Sequence, residues 1–539
     1  MFKTRFISFL ACASALAIPA SAKGPASLRD GWYLAPADSL CGIDIPGAFA
    51  RLSGPKSPPP QGSCPDLTVV AVIDGGFDFT HPDLRERVWI NASETPDNGL
   101  DDDGNGYADD LHGWNFLGNA RGEDFLKAGT AQFREYKRLR PRYKNADTCR
   151  LNRRQRAEYA LYKRMEREAR LDTYILYAQY LGRIARAYEV CDSLMKACYG
   201  DKATTMGDFI RIEVADTTGL GQDLQIAASR PAVMQPDASW NEVVRKAAAE
   251  YDTARKRVES LDRNDDDPHL KLGNDPDDFR NFRYGNNHIH CDPYHGTMVS
   301  GVIAACTAAP GVEQIVKIMG IRAVPEGDEY DRDIAAAIRY AVDNGARVVN
   351  MSFGKYASHS SKEVQQAIRH AARRDVLLVM ASGNDGRDID QRPIYPRNVS
   401  ASGRRHENML VVGSTDRRGR VCDFSNYGCR TVDLFAPGSG ILSTAPEGRY
   451  DAAMGTSISA PMVAGVAALI RSVCPDLKAA EVRRILLETV RDLSHVETPI
   501  PGTKGKQTGF SGDLCLSRGM LDANAALGKA LEISKTARR

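Results

Sequence analysis

Beyond its first two dozen residues the chain has no apolar run long enough to cross a bilayer. A spanning helix needs about 20 such residues in succession, so a protein built on helical membrane spans is excluded. Charge of one sign is also missing, because 71 Lys plus Arg against 69 Asp plus Glu leave a formal +2. A total this close to neutral implies no polyanionic partner and no nucleic acid. There is no Cys-x-x-Cys pair, which weakens any thiolate metal site. There is no Gly-x-Ser-x-Gly string, the strained elbow that presents the serine of many ester hydrolases. What remains is ordinary soluble composition, 42% hydrophobic over 539 residues. That length can bury a full α/β domain and leave room for additions.

The first 22 residues read as an export signal. Lys3 and Arg5 form a basic start, Phe6 to Ile18 is apolar but too short to span, and Ala20-Ser21-Ala22 is a small-residue cleavage site. The expected mature chain starts near Lys23 and is secreted or periplasmic. The twelve cysteines agree with an oxidising compartment. Setting Cys12 aside with the signal, proximity pairs Cys41 with Cys64, Cys191 with Cys198, Cys291 with Cys306, Cys422 with Cys429 and Cys474 with Cys515, leaving Cys149 over. Sequence does not fix that connectivity.

Residues 23–65, centred on SGPKSPPPQGS, read as an irregular leader and linker. From 66 to 530 apolar strands alternate with helical stretches: Leu67 to Ile73, Val316 to Val324, Asp331 to Asn344, Ala346 to Phe353, Ser361 to Arg374, Val376 to Ala381 and Met409 to Ser414. Such alternation predicts an α/β fold with a mostly parallel sheet flanked by helices on both faces, and functional residues at the carboxyl ends of its strands. The series is interrupted at about 120–280. There Tyr174, Tyr177, Leu181, Ile184 and Tyr188 recur at helical spacing, as do Trp240, Val244, Ala247, Tyr251 and Val258. Lys127 to Arg186 holds 17 Lys plus Arg and 6 Asp plus Glu. A solvated helical hairpin accounts for the pattern; a docking surface for an acidic protein or an anionic envelope partner is the functional alternative. Residues 531–539 read as a solvated tail.

Three strings carry the chemistry. VAVIDGGFDFTHPDL ends an apolar strand at Asp74, while HGTMVSG and GTSISAP open helical segments with His295 and Ser457. A serine hydroxyl is a poor nucleophile until a base takes its proton, and the base needs an acid to hold its tautomer. The chain order Asp, His, Ser separates this arrangement from two others of the same geometry. The strings resemble the subtilisin-like serine peptidase family (subtilases, peptidase S8). The resemblance covers Leu67 to Leu117 and Asp292 to about Ala526 and leaves out the insertion. FSNYG at 424–428 and FAPGSGILS at 435–443 also match the family pattern.

The resemblance implies a subtilisin-like fold and a serine endopeptidase acting on polypeptides. Ser457 would be the nucleophile, His295 the base and Asp74 its orienting acid. ASGN at 381–384 resembles the family's oxyanion-hole loop, with Asn384 and the Ser457 backbone N–H as donors. Ser352, Phe353 and Gly354 would pair with an extended substrate, and Ala381, Ser382 and Gly383 would form the opposite wall of the pocket for the side chain before the scissile bond. Two departures stand out. Gly75 occupies the place where the family usually has Ser or Thr, and residues 23–65 look too short and irregular for the folded propeptide common in such zymogens.

A separate signal is DDDGNGYADD. Asp101, Asp103, Asn105, the Tyr107 carbonyl and Asp109 follow the first positions of a calcium loop, although His112 stands where the bidentate Glu would close it. The expectation is a stand-alone structural calcium site; the alternative is an acidic surface turn. Against the peptidase stand two other readings: a catalytically weak scaffold of the same fold that uses the basic insertion, and an ester hydrolase, which lacks its motif and would order the residues Ser, acid, His.

Overall fold

A computed structural model describes residues 31–36, 41–52, 67–169, 171–200, 202, 204–210, 237–259, 267–308, 316–400 and 402–537. The signal-like segment 1–22, Cys12 and Cys64 lie outside these residues. The chain divides into two compact units, Met1–Ala128 with Pro268–Arg539, and Gly129–Asp267. The insertion is therefore shorter than the expected 120–280. Its flanks are held in the first unit: Glu326 N–H donates to the Leu126 carbonyl, Ala128 N–H to that of Glu326, and His269 Nε2 lies 2.8 Å from the buried Asp333 carboxylate.

The first unit is organised by parallel pairing of apolar strands. In chain order these are β1 Thr68–Asp74, β2 Gly113–Asn115, β3 Val316–Arg322, β4 Ala346–Met351, β5 Leu377–Ala381, β6 Met409–Thr415, β7 Leu434–Pro437, β8 Ser439–Ala445, β9 Arg449–Met454, β10 Arg491–Asp492, β11 Glu497–Pro499, β12 Thr508–Phe510 and β13 Gly519–Met520. Nine form one sheet in the order β10-β13-β7-β6-β5-β4-β1-β3-β2, while β8–β9 and β11–β12 pair as separate hairpins. All pairings inside the large sheet are parallel except β10 with β13. A parallel sheet is covered on both faces, which is why its strands are nearly unbroken apolar runs. Val70 and Val72 of β1 face a core shared with helices Tyr294–Cys306 and Thr456–Val473. Val69, Ala71 and Ile73 face the opposite core, shared with helices Asp331–Asp343 and Ser361–Arg373. Against the expectation that no such run exists, the Thr456–Val473 helix is by length and composition apolar enough to cross a membrane, but it is the core helix of this unit and is buried along nearly its whole length.

Two expectations about the ends change. Part of the supposed leader is core: Ile45–Leu52 is helical, and Tyr33, Ile43, Ile45 and Ala48 are buried. The Ile43 carbonyl accepts from Ala523 N–H, and Asp44 accepts from Asn524. The supposed tail is helical too, because Ala523–Ala537 continues past 531 with Leu531 and Ile533 against the core. In both places a few apolar residues sit among polar ones, and only the partner segment shows that they are covered.

The expected disulfides are not formed among the described residues. Cys191 and Cys198 stand on one helix, Leu171–Tyr199; seven residues of rise is roughly 10 Å, beyond the ~7 Å that a bridge tolerates. Cys474 and Cys515 lie in cores on opposite faces of the sheet. Cys306 is buried, whereas Cys291 is half-buried with its thiol toward Asp124. Cys422 is buried, whereas Cys429 is exposed against Asp390.

The second unit is helical: Ala131–Tyr143, Arg153–Glu168, Leu171–Tyr199, Met206–Ile210 and Trp240–Glu259. Asn152 and Gln155 form a reciprocal cap on the second of these, a device worth about 1 kcal/mol. Part of the predicted stripe is covered here: Leu181, Ile184, Tyr188, Trp240 and Ala247 are buried, Tyr177, Val244, Tyr251 and Val258 are half-buried, and the Tyr174 side chain lies outside the described residues. The Trp240 indole N–H donates to Asp192 at 3.0 Å.

Candidate active site

Asp74 is the last residue of β1 and is 3% exposed. Its carboxylate accepts from the Gly75 N–H at 2.7 Å. His295 stands in the first turn of its helix, and its Nδ1 lies 2.8 and 2.9 Å from the two Asp74 oxygens. A carboxylate only accepts, so Nδ1 carries the hydrogen and Nε2 is left as the basic nitrogen. Partial desolvation disfavours the charged imidazole, but Asp74 and, less strongly, Asp292 outweigh it and hold the His295 pKa above its ordinary value. The side chain remains 46% exposed, on the solvent side of the pair.

Ser457 opens the Thr456–Val473 helix behind Gly455, whose φ of 142° suits glycine. Thr456 N–H and Thr456 Oγ1 both donate to Asn384 Oδ1 at 2.9 Å. That fixes the orientation of the amide and leaves Nδ2 on the other side. A Cβ placed on Gly455 would stand 3.1 Å from Ser457 Oγ and 3.3 Å from Asn384 Nδ2. The missing side chain thus leaves a space within reach of both a hydroxyl and an amide donor. Among the described residues, no hydrogen bond joins Ser457 Oγ to His295 Nε2. Such bonds are commonly loose until substrate is bound.

The expected substrate walls are only partly a surface. Ser352 is buried and its hydroxyl donates to the Ser457 carbonyl at 2.7 Å, so it supports the helix start from beneath. Phe353 belongs to the core. Ala381 and Ser382 are buried, with the Ser382 hydroxyl turned to the Asn426 carbonyl. Gly354 and Gly383 are the wall positions left half-exposed. Ile394 lies between them, its Cδ1 2.6 Å and 3.0 Å from where their Cβ atoms would be. Thr456 and Ile394 escaped the sequence reading. Thr456 sits inside the serine string and could have been found there; Ile394 carries no local signal.

The acidic loop is rearranged relative to expectation. Asp101 and Asp103 converge with Glu94, their ligand oxygens all within 4.8 Å of one another. Asp101 Oδ1 is a buried acceptor with no donor, and Glu94 is 6% exposed. Asp109 does not join them, because its two oxygens accept from Asn98 and Gly99 N–H. Asn105 turns its carbonyl to Tyr107 N–H and its amide to Asp103 and Asp110. Tyr107 is held through its buried ring and its hydroxyl bond to the Phe282 carbonyl. Loop spacing alone did not reveal Glu94, seven residues upstream of the motif.

The Subtilase family model of the S8 peptidases matches residues 66–511. The chain belongs to the subtilase family. Alkaline elastase YaB of a Bacillus species is 35% identical over 205 residues, 37% of this subtilase and 51% of the elastase. Subtilisin BL of Lederbergia lenta is 34% identical over 207 residues, 37% of this chain and 71% of its own. A cell wall-associated protease of Bacillus subtilis is 36% identical over 219 residues, 40% of this chain and 23% of its own. This subtilase spans about half the length of the first curated relatives it matches.

Proposed function

We propose that this subtilase is a serine endopeptidase in which Asp74, His295 and Ser457 form the triad. The observation that carries the reading is the bidentate approach of His295 Nδ1 to Asp74. Together with it, Ser457 Oγ and Asn384 Nδ2 border one small space. An extended polypeptide pairs along the strand end before Gly354. His295 Nε2 takes the Ser457 Oγ proton as that oxygen attacks the peptide carbonyl. The carbonyl oxygen becomes anionic and is received by Asn384 Nδ2–H and the Ser457 N–H. Collapse breaks the C–N bond, and His295 returns its proton to the leaving amine. Water then attacks the acyl ester by the same route in reverse. Labelling by a fluorophosphonate probe, with Ser457→Ala as control, tests this; equal labelling of both proteins would end the triad reading.

A structural calcium site fits Glu94, Asp101 and Asp103, because three hard oxygens converge around an acceptor that lacks a donor. A bound cation would supply the positive charge that offsets their repulsion. Export through the N-terminal segment agrees with a relative named as cell wall-associated. The basic start of the inserted unit suits an acidic polypeptide, although several of its cations pair locally, as Arg138 with Glu135 and Arg142 with Glu158.

A further inference from the structure

Gly75 has no side chain to restrict it, yet its N–H is what orients Asp74 Oδ1. Its placement must come from neighbours. Arg322, the last residue of β3, is level with Asp74 in β1 and with Asn115 in β2, and it is 1% exposed. Its guanidinium reaches three segments: Nε donates to the Gly75 carbonyl at 2.8 Å, one Nη to Asn115 Oδ1 at 2.9 Å, and the other to the Phe125 carbonyl at 2.7 Å. None of these acceptors is a carboxylate. A buried cation without a direct counter-ion is costly to maintain, and the acidic groups acting on it, Cys291, Asp124 and Asp292, do so through space.

The network continues to the histidine side. Asn115 Nδ2 donates to Asp124 Oδ1 at 2.7 Å and to Asn286 Oδ1 at 2.8 Å. Asn286 Nδ2 also donates to Asp124 Oδ1 at 2.8 Å. The other Asp124 oxygen lies 3.1 Å from His288 Nδ1 and 3.7 Å from Cys291 Sγ. Residues 286–292 lead directly into the turn that delivers His295. One bonded network therefore runs from the carbonyl beside Asp74 to the approach of His295.

We propose that Arg322 is a positioning residue for the Asp74–His295 pair, fixing Gly75 and joining both segments through Asn115 and Asp124. The proposal rests on the triad reading above. It compensates for the hydroxyl that Gly75 lacks: what a Ser or Thr side chain would hold from within the turn, the guanidinium holds from outside it. Its fork fixes three donors in one plane on three separate nitrogens, a spread that the three N–H groups of an ammonium, all on one nitrogen, do not match.

The test combines kinetics on a small peptide anilide with the downfield proton resonance of His295 Nδ1–H, in folded wild type, Arg322→Met and Arg322→Lys. In Arg322→Met, kcat should fall roughly 10- to 100-fold, the scale of a small misplacement. KM should stay within about twofold, since the change lies away from the substrate walls. The resonance should shift or broaden, and Arg322→Lys should restore kcat only in part. If the Met variant does not fold, Asp124→Asn, at the far end of the network, should move the same resonance. Unchanged kcat and unchanged resonance in a folded Arg322 variant, or an unmoved resonance in Asp124→Asn, would overturn the proposal. The resonance does not depend on turnover, so failure of Ser457→Ala to abolish hydrolysis would remove the triad reading separately.

Discussion

Thr456 holds Asn384 by two bonds to one atom: its backbone N–H and its hydroxyl both donate to Oδ1 at 2.9 Å. The amide oxygen is thereby saturated, and the nitrogen is left as the group that faces the space beside Ser457. The same Thr456 Oγ1 accepts from Gly383 N–H at 3.1 Å, so the serine helix and the β5 loop are locked through one side chain.

Two substitutions follow from that lock. Asn384→Ala should lower kcat by on the order of 10²-fold, the usual effect of losing one oxyanion donor, with little change in KM. Thr456→Val keeps the backbone donor and should cost less in kcat, about tenfold, while lowering the melting temperature modestly because Gly383 N–H loses its acceptor. Steady-state kinetics on a peptide anilide measures both. A KM effect larger than the kcat effect in Asn384→Ala would assign the amide to ground-state binding instead.

Gly455→Ala should be more damaging than Thr456→Val although it removes no polar group. The added methyl would stand 3.1 Å from Ser457 Oγ and 3.3 Å from Asn384 Nδ2, in the space both groups border. The φ of 142° also disfavours a side chain there. Active-site labelling should drop steeply while the far-ultraviolet dichroism stays native. Wild-type labelling in this variant would mean that the space plays no part.

The pH dependence has a definite sign. As the proposed base, His295 must be neutral, and Asp74 with Asp292 holds its pKa above the ordinary value despite partial desolvation. The acid limb of kcat/KM should therefore lie above about 6.5. A raised histidine pKa favours the folded state fully below the unfolded value, and that contribution fades as pH rises through the folded one. Asp74→Asn should remove most of the elevation, which an imidazole titration followed by NMR would reveal. A limb at or below the free-histidine value in wild type would contradict the assignment.

For calcium, Asp101→Ala and Asp109→Ala should behave differently. If Glu94, Asp101 and Asp103 hold the ion, millimolar calcium should raise the wild-type melting temperature by mass action, and Asp101→Ala should abolish the rise. Asp109→Ala should lower the baseline through its lost bonds to Asn98 and Gly99 while preserving the calcium increment. Equal melting curves for wild type in chelator and in calcium would remove the site.

Excision of Gly129–Asp267, the compact inserted unit, should leave hydrolysis of a small peptide ester nearly unchanged. Cleavage of an acidic protein should fall, and in the intact enzyme it should weaken with salt, since exposed charges are screened beyond roughly 10 Å at 0.1 M. Equal loss on both substrates by a folded deletion variant would make the insertion structural support.

Much was legible in the chain itself. Runs such as Val69 to Ile73 are apolar at every position because both faces of a parallel sheet are covered, so the strands and their order of alternation could be read locally. The strings around Asp74, His295 and Ser457 also carried the resemblance to the family within a few residues each. What local pattern could not supply is whatever depends on a partner distant in sequence. Cys474 and Cys515 look like a pair until the sheet separates them. Asp109 looks like a ligand until its oxygens are taken by Asn98 and Gly99. Ile43 and Ile45 look like linker until the C-terminal helix covers them, and Arg322 looks like any strand-end cation until Gly75, Asn115 and Phe125 converge on it. Composition and periodicity determined which segments become strands and helices, because those preferences act over a few residues. The tertiary structure decided which polar atoms are satisfied by which, because that depends on segments brought together only when the sheet assembles.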